Sequence, residues 1–122
     1  MRSSVLVVDA EPIIRSLVQL GLEREGFEVW LAANSLEAVQ LYEKYSKDIA
    51  VVLLEVSKVN LDGFQTLEEL RKVDPTIVAC FMTTETEGAY ETTELLRYGV
   101  AQVISKPFLL RDLVQVLRQL LI

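Results

Sequence analysis

The sequence predicts an α/β fold in which helices cover both faces of one parallel sheet, and three observations predict it. Short apolar runs recur five times, at residues 5–8, 28–32, 49–54, 77–82 and 101–104. An amphipathic stretch long enough for a helix follows each run. Most of the runs are continuous in Val, Ile and Leu, as in strands buried on both faces. Such alternation packs helices on both sides of a sheet through right-handed crossovers.

Each element has its own signals. Val5-Leu6-Val7-Val8 opens the sheet. Pro12 suits a first helical position, with Ile14, Leu17, Val18 and Gly21 expected on one inward face and Gly26 as the stop. The second run sets Val29, Trp30 and Leu31 beside Glu28, which predicts an edge strand. Asn34 or Ser35 caps a second helix carrying Ala38, Val39 and Tyr42. Asp62 caps a third, with Phe64, Leu67 and Leu70 inward, ended by Asp74-Pro75. A fourth helix is expected over residues 88–98, stopping at Gly99. The last carries Leu110, Leu113, Val114, Leu117 and Leu121 at helical spacing.

With 122 residues, 51% of them hydrophobic, the chain is expected to form one domain over residues 1–122. Twelve basic against 18 acidic residues give a net charge of −6, which argues against binding nucleic acid or anionic membrane through the bulk surface. There is no histidine, so imidazole metal sites and Ser-His-Asp or Cys-His catalysis are excluded. The single cysteine, Cys80, lies in an apolar run and reads as a buried, inert thiol. The stretch before Val5 is too short for a signal peptide, and no apolar run approaches a membrane span. The expectation is a soluble, cytoplasmic chain without a targeting segment.

In open parallel sheets ligands sit at the carboxyl ends of the strands. Asp9-Ala10-Glu11 follow the first run; Glu55, Ser57 and Lys58 follow the third. Thr83 and Thr84 follow the fourth, and Lys106-Pro107 the fifth. Taken singly, these residues are helix caps, turn residues or a solvated lysine. Together they place two acids, a hydroxyl and an ammonium at the mouth of one small pocket.

The matching segments are Val5-Leu6-Val7-Val8-Asp9-Ala10-Glu11-Pro12, Val52-Leu53-Leu54-Glu55, Asp62-Gly63-Phe64, Phe81-Met82-Thr83-Thr84 and Lys106-Pro107-Phe108. Over essentially the whole chain this pattern resembles a response-regulator receiver domain. The resemblance implies a flavodoxin-like sheet with strand order 2-1-3-4-5. It also implies an acidic pair that holds Mg²⁺ and an aspartate that takes a phosphoryl group from a partner kinase's phosphohistidine. A hydroxyl and a lysine then bind the phosphoryl oxygens, and their movement shifts a helix 4–strand 5–helix 5 face read by partners. The Lys106–Pro107 bond is cis in such domains.

The chain departs from that pattern at the reaction centre. Ala10 stands where the family has the second acid, and Glu55 where it has the phosphoacceptor aspartate. The extra methylene displaces the carboxylate by roughly 1.5 Å. A misplacement of about 1 Å already costs about a hundredfold where positioning is the catalysis. Val59 replaces a usual proline and Val103 a usual aromatic. The segment between Thr83 and Lys106 is one residue longer than common; Thr83 is the preferred hydroxyl and Thr84 the second choice.

The expected metal set is therefore Asp9, Glu55 and the Ser57 backbone carbonyl, weak or lost for want of an acid at Ala10. Glu11 is expected to point towards the first helix and not to ligate. The expected function is a pseudo-receiver: a phosphorylation-independent protein-interaction module with no catalysis of its own and at most weak Mg²⁺. Glu55, reaching Lys106 and Thr83, is either a partial mimic of the phosphorylated state or an inert paired acid. The alternatives are a working receiver phosphorylated at Glu55 and, more distantly, a flavodoxin-like cofactor binder. That last reading lacks a phosphate-cradling glycine after Val8. Partners are expected to be a histidine kinase, an output domain or a second copy. The expected surface is helix 4, strand 5 and helix 5, where Glu91 and Glu94 precede Arg97, and Arg111 and Arg118 share a face.

Overall fold

The computed structural model describes residues 4–57, 62–84 and 90–121. The elements, in chain order, are β1 (Ser4–Val8), α1 (Pro12–Arg24), β2 (Glu28–Ala32), α2 (Ser35–Tyr45), β3 (Ile49–Val56), α3 (Asp62–Val73), β4 (Ala79–Thr84), α4 (Thr92–Leu96), β5 (Gln102–Lys106) and α5 (Leu110–Leu120). All five strands are parallel, in the order β2-β1-β3-β4-β5. This is the parallel α/β architecture that the sequence pattern predicts, in the flavodoxin-like order that the resemblance implies.

Strand alternation sends successive side chains to opposite faces, and each face has its own core. Leu6, Val8, Val52, Leu54 and Phe81 meet Ala38 and Tyr42 of α2, Leu67 and Leu70 of α3, and Leu95 of α4. Val5, Val7, Leu53, Met82 and Ile104 meet Val18 and Leu22 of α1 and Leu113, Val114 and Leu117 of α5. Each fully buried Leu, Val, Phe or Met side chain contributes about 1.5–3 kcal/mol. β2, at the edge, is only partly buried, as its mixed composition predicts.

Local chemistry fixes the helix ends. Asn34 Oδ1 accepts from the Glu37 N–H at 2.9 Å, and Glu37 Oε1 accepts from the Ala33 N–H at 2.7 Å. This reciprocal pair satisfies donors that the first turn leaves open. Asp62 is the first residue of α3 rather than a residue before it. Tyr42 donates its hydroxyl to Asp74 Oδ2 at 2.7 Å, tying α2 to the end of α3.

Four expectations are corrected. Leu17 is 59% exposed, because the inward arc of α1 centres on Ile14, Val18, Gly21 and Leu22 and leaves Leu17 at its margin. The described part of the fourth helix is one short element, Thr92–Leu96, before a turn that ends at Gly99 with φ +79°; the expected start at Gly88 lies outside the described residues. Leu121 lies just past α5, at its C-cap, though it still packs against the core. The strands also run further than the apolar runs: Glu55 lies inside β3, Thr83 and Thr84 inside β4, and Lys106 inside β5. Ladder pairing carries the strand past the last apolar residue, as Glu55 opposite Met82 and Thr84 opposite Lys106 show. Lys58 and Val59 lie outside the described residues.

Candidate functional site

Period-two alternation builds the site. Asp9 lies two residues beyond Val7, Glu55 two beyond Leu53, and Lys106 two beyond Ile104. Val7, Leu53 and Ile104 all face the α1/α5 side, so the three polar groups extend that face past the carboxyl edge of the sheet. β1 and β3 are neighbours, while β4 separates β3 from β5. Two strand spacings, about 10 Å, separate β5 from β3 and three, about 14 Å, separate it from β1, a gap that a long lysine side chain and the acids together can bridge.

Lys106 bridges it. Its Nζ donates to Asp9 Oδ2 at 2.7 Å and to Glu55 Oε2 at 3.2 Å. The three groups are nearly enclosed: the side chains of Lys106 and Glu55 are each 9% exposed, and that of Asp9 is fully buried. Charges held so close and so dry attract strongly, which offsets part of the cost of removing them from water.

The ionisation states follow. Burial pushes Glu55 up to about 7; a hydrogen bond and charge repulsion from Asp9 add to the rise, while Lys106 opposes it. Burial also pushes Asp9 upward. Hydrogen bonds with Glu55, with Lys106 and from the Glu11 N–H outweigh that effect and hold Asp9 below its ordinary range. For Lys106 burial favours the neutral amine, but Asp9 first and Glu55 second hold the ammonium, and its pKa is raised. The pair of acids thus carries less than two charges near neutral pH, with the proton on Glu55 and the ammonium nearest Asp9.

Glu11 and Arg15 complete the rim. The Glu11 N–H donates to Asp9 Oδ1 at 2.9 Å, a tight turn over two residues. One carboxylate oxygen each from Asp9, Glu11 and Glu55 lies within 4.8 Å of the others. The expectation that Glu11 stands apart from the acids is thereby corrected: the turn swings it to the mouth of the cup. Arg15 Nη1 donates to the Asp9 carbonyl at 2.6 Å, a contact the sequence reading missed. Its only sequence signal is a basic residue one helical turn after Glu11.

Ala10 is exposed and brings no ligand atom to the site. Beside it only a cleft of about 10 Å³ remains, lined by Asp9, Ala10, Asn34, Glu55, Asp62 and Gly63 among others. Gly63 is required here, since a Cβ would collide with the Glu55 carbonyl. Thr83 is buried at the end of β4, on the Phe81 and Val103 face by strand alternation. Thr84 ends the same strand, and its side chain lies outside the described residues. Ser57 directly follows β3. The Lys106–Pro107 peptide bond is cis.

The profile of the response regulator receiver domain family matches residues 5–118, nearly the whole chain. The chain belongs to the response-regulator receiver family. The receiver is 32% identical over 117 residues to the transcriptional regulatory protein TrcR of Mycobacterium tuberculosis, covering 96% of this chain and 44% of that protein. It is 34% identical over 119 residues to the CpxR homolog of Haemophilus influenzae, covering 98% and 50%. Among solved structures, NtrX from Brucella abortus in complex with ADP superposes with a TM-score of 0.84 at 30% identity, over 99% of this chain and 26% of that one. The chemotaxis protein CheY4 of Vibrio cholerae does so at 0.84 and 26% identity, over 98% and 99%. The receiver therefore spans about half the length of these curated relatives. Among the described residues, no helix is long and apolar enough to cross a membrane.

Proposed function

We propose that this receiver is a pseudo-receiver, a cytoplasmic protein-interaction module of a two-component or phosphorelay system whose output does not depend on phosphorylation. The observation that carries this reading is the Lys106 bridge to Asp9 and Glu55. The ammonium already neutralises the acids that a divalent ion and a phosphoryl group would use. Glu55 replaces the family's shorter acceptor, and Ala10 offers no ligand in place of the second acid. The raised pKa of Glu55 favours the inert-acid reading over permanent mimicry, because a half-protonated carboxyl is a poor substitute for a dianionic phosphoryl group.

The donor set has the hard-oxygen chemistry that Mg²⁺ prefers. Asp9, Glu11 and Glu55 would hold the ion, with the Ser57 carbonyl as a further oxygen, but Lys106 already occupies two of the three acids. When bound, the ion would neutralise charge on a transferring phosphoryl group. The presence of Glu11 in the cluster supports a second reading, a working receiver phosphorylated at Glu55 with weak Mg²⁺.

Partner docking is assigned to α4, β5 and α5, towards a kinase or an output domain. On that face Arg111 and Asp112 form only a loose, exposed pair at 3.8 Å, whereas Arg118 turns towards Glu25 at 3.0 Å and is already engaged. Incubation with Mg²⁺ and a small-molecule phosphodonor, followed by intact mass, separates the two readings. The pseudo-receiver keeps its mass. A stoichiometric, hydroxylamine-labile adduct on Glu55 establishes the working receiver instead.

A further inference from the structure

The sheet has two free edges, β2 and β5. β5 belongs to the face assigned above to partner docking, whereas β2 has no role there. Successive residues of a parallel strand turn their N–H and C=O groups alternately towards one neighbour and away from it. The Ala32 C=O accepts from the Asp9 N–H, so Glu28, Trp30 and Ala32 turn theirs to β1, and Val29 and Leu31 turn theirs outward. Among the described residues, no backbone group bonds those outward N–H and C=O groups. An exposed edge is usually guarded by a proline, a bulge or charges. β2 reads Glu-Val-Trp-Leu-Ala, pairs with β1 without a break in register, and carries Glu28 as its one charge.

α2 flanks this edge. Trp30, Leu31, Glu37, Gln40, Lys44 and Tyr45 line a cleft of about 400 Å³ along it. Two contacts fix how the helix lies against the strand. Glu37 Oε1 accepts from the Ala33 N–H, and the Tyr45 ring stacks on Trp30 with centroids 4.0 Å apart. Glu37 is therefore level with Ala33, and Lys44, next to Tyr45, is level with Trp30. An acid and a base stand on either side of Leu31.

We infer that β2 pairs with β2 of a second copy of the same chain, antiparallel about a two-fold axis at Leu31, so that the two sheets join into one. Leu31 of each copy then faces Leu31 of the other and exchanges both backbone bonds with it. Val29 donates its N–H to the Ala33 C=O of the other copy. Trp30 falls opposite Ala32, a large side chain beside a small one on the α2 side of the joined sheet. Charge complementarity selects this occupant over a foreign strand. The axis carries Lys44 of one copy level with Glu37 of the other, and the symmetry makes the pair twice. Both residues are exposed, and among the described residues Lys44 has no ion pair within its own chain; its ammonium lies 5.2 Å from the Tyr45 ring centroid. An isologous contact of this kind closes on itself and leaves no free β2 edge. It leaves α4, β5 and α5 open to a different partner, and it is independent of whether Glu55 takes a phosphoryl group.

Sedimentation equilibrium on the full chain, with amide hydrogen exchange read by NMR over the same concentrations, tests the inference. The wild type is expected to dimerise reversibly. Exchange at the Leu31 and Val29 amides slows as the concentration rises, while the Trp30 amide, bonded to β1 in either state, keeps its rate. Leu31→Pro removes an outward N–H that the fold itself does not use. It weakens the dimer about a hundredfold, tenfold for each copy. Glu37→Lys and Lys44→Glu each weaken it about fivefold, and the charge-swapped double variant recovers most of the loss. Leu96→Arg on α4 leaves it unchanged. Far-UV circular dichroism confirms that each variant is folded; should Leu31→Pro fail to fold, the charge-swap series and the amide rates decide. A wild type monomeric at every concentration overturns the inference, whichever other protein the edge then binds. So does a dimer whose Leu31 amide exchanges as fast as in the monomer, or a double variant no stronger than the singles.

Discussion

Lys106 lies closer to Asp9, at 2.7 Å, than to Glu55, at 3.2 Å. The acid just past the first strand is therefore the main counter-charge of the buried ammonium. The acid at the acceptor position is the junior partner and the one that holds a proton near neutral pH. The site is balanced internally, one cation against one full and one partial negative charge. Several measurable consequences follow from that balance.

Removing the cation uncovers two buried acids. Lys106→Met is expected to destabilise the fold by about 3–5 kcal/mol at pH 8, the range for breaking a buried pair. The loss is smaller at pH 5, where Glu55 is neutral and only Asp9 remains charged. Urea denaturation at the two pH values measures both numbers. An equal loss at both would show that Glu55 is not coupled to the ammonium.

Glu55 holds its proton more tightly in the fold, with a pKa of about 7 against an ordinary 4.5. Its contribution to stability is full below about pH 4.5 and is lost as the pH rises through 7. Glu55→Gln keeps the shape of the protonated acid and abolishes that loss. At pH 8 the variant should be more stable than the wild type by about 1–3 kcal/mol, with little difference at pH 4.5. Asp9 acts in the opposite sense: its pKa is lowered, so its contribution is present above the ordinary 3.8 and fades as the pH falls below it. Stability curves against pH for the two proteins should therefore diverge between pH 4.5 and 7 and run together below that window.

Gly63 tests how tightly α3 is packed on the site. In an unconstrained helix, Gly→Ala stabilises by about 1 kcal/mol. Here the new Cβ meets the Glu55 carbonyl, so Gly63→Ala is expected to destabilise by about 1–3 kcal/mol, and the melting temperature falls. A rise in melting temperature would contradict the close approach.

Much of this was legible in the sequence, for identifiable reasons. Five apolar runs gave five strands because burial on both faces leaves a continuous signal, and the edge strand showed itself through Glu28 beside Trp30. Asn34 and Glu37 announced their helix start because a cap is local chemistry. Strand ends were harder to read: ladder hydrogen bonds carried Glu55 and Lys106 into β3 and β5, although neither residue is apolar. Leu17 was misassigned because an apolar residue at the margin of a helical arc has the same spacing as one inside it. Asp9, Glu55 and Lys106 were found together because each follows an apolar run, at the carboxyl edge where ligands sit in such sheets. Glu11 was set apart from them because its approach depends on a hydrogen bond from its own N–H to Asp9, which spacing does not reveal.

The central claim is that Glu55, with Ala10 beside it, leaves this receiver unable to accept a phosphoryl group. The most direct measurement is the intact mass of the wild type and of the Ala10→Asp, Glu55→Asp double variant, side by side, after incubation with Mg²⁺ and a small-molecule phosphodonor. The account predicts an unchanged wild type and an acyl-phosphate adduct on residue 55 of the double variant. Stoichiometric uptake by the wild type at Glu55 would contradict it.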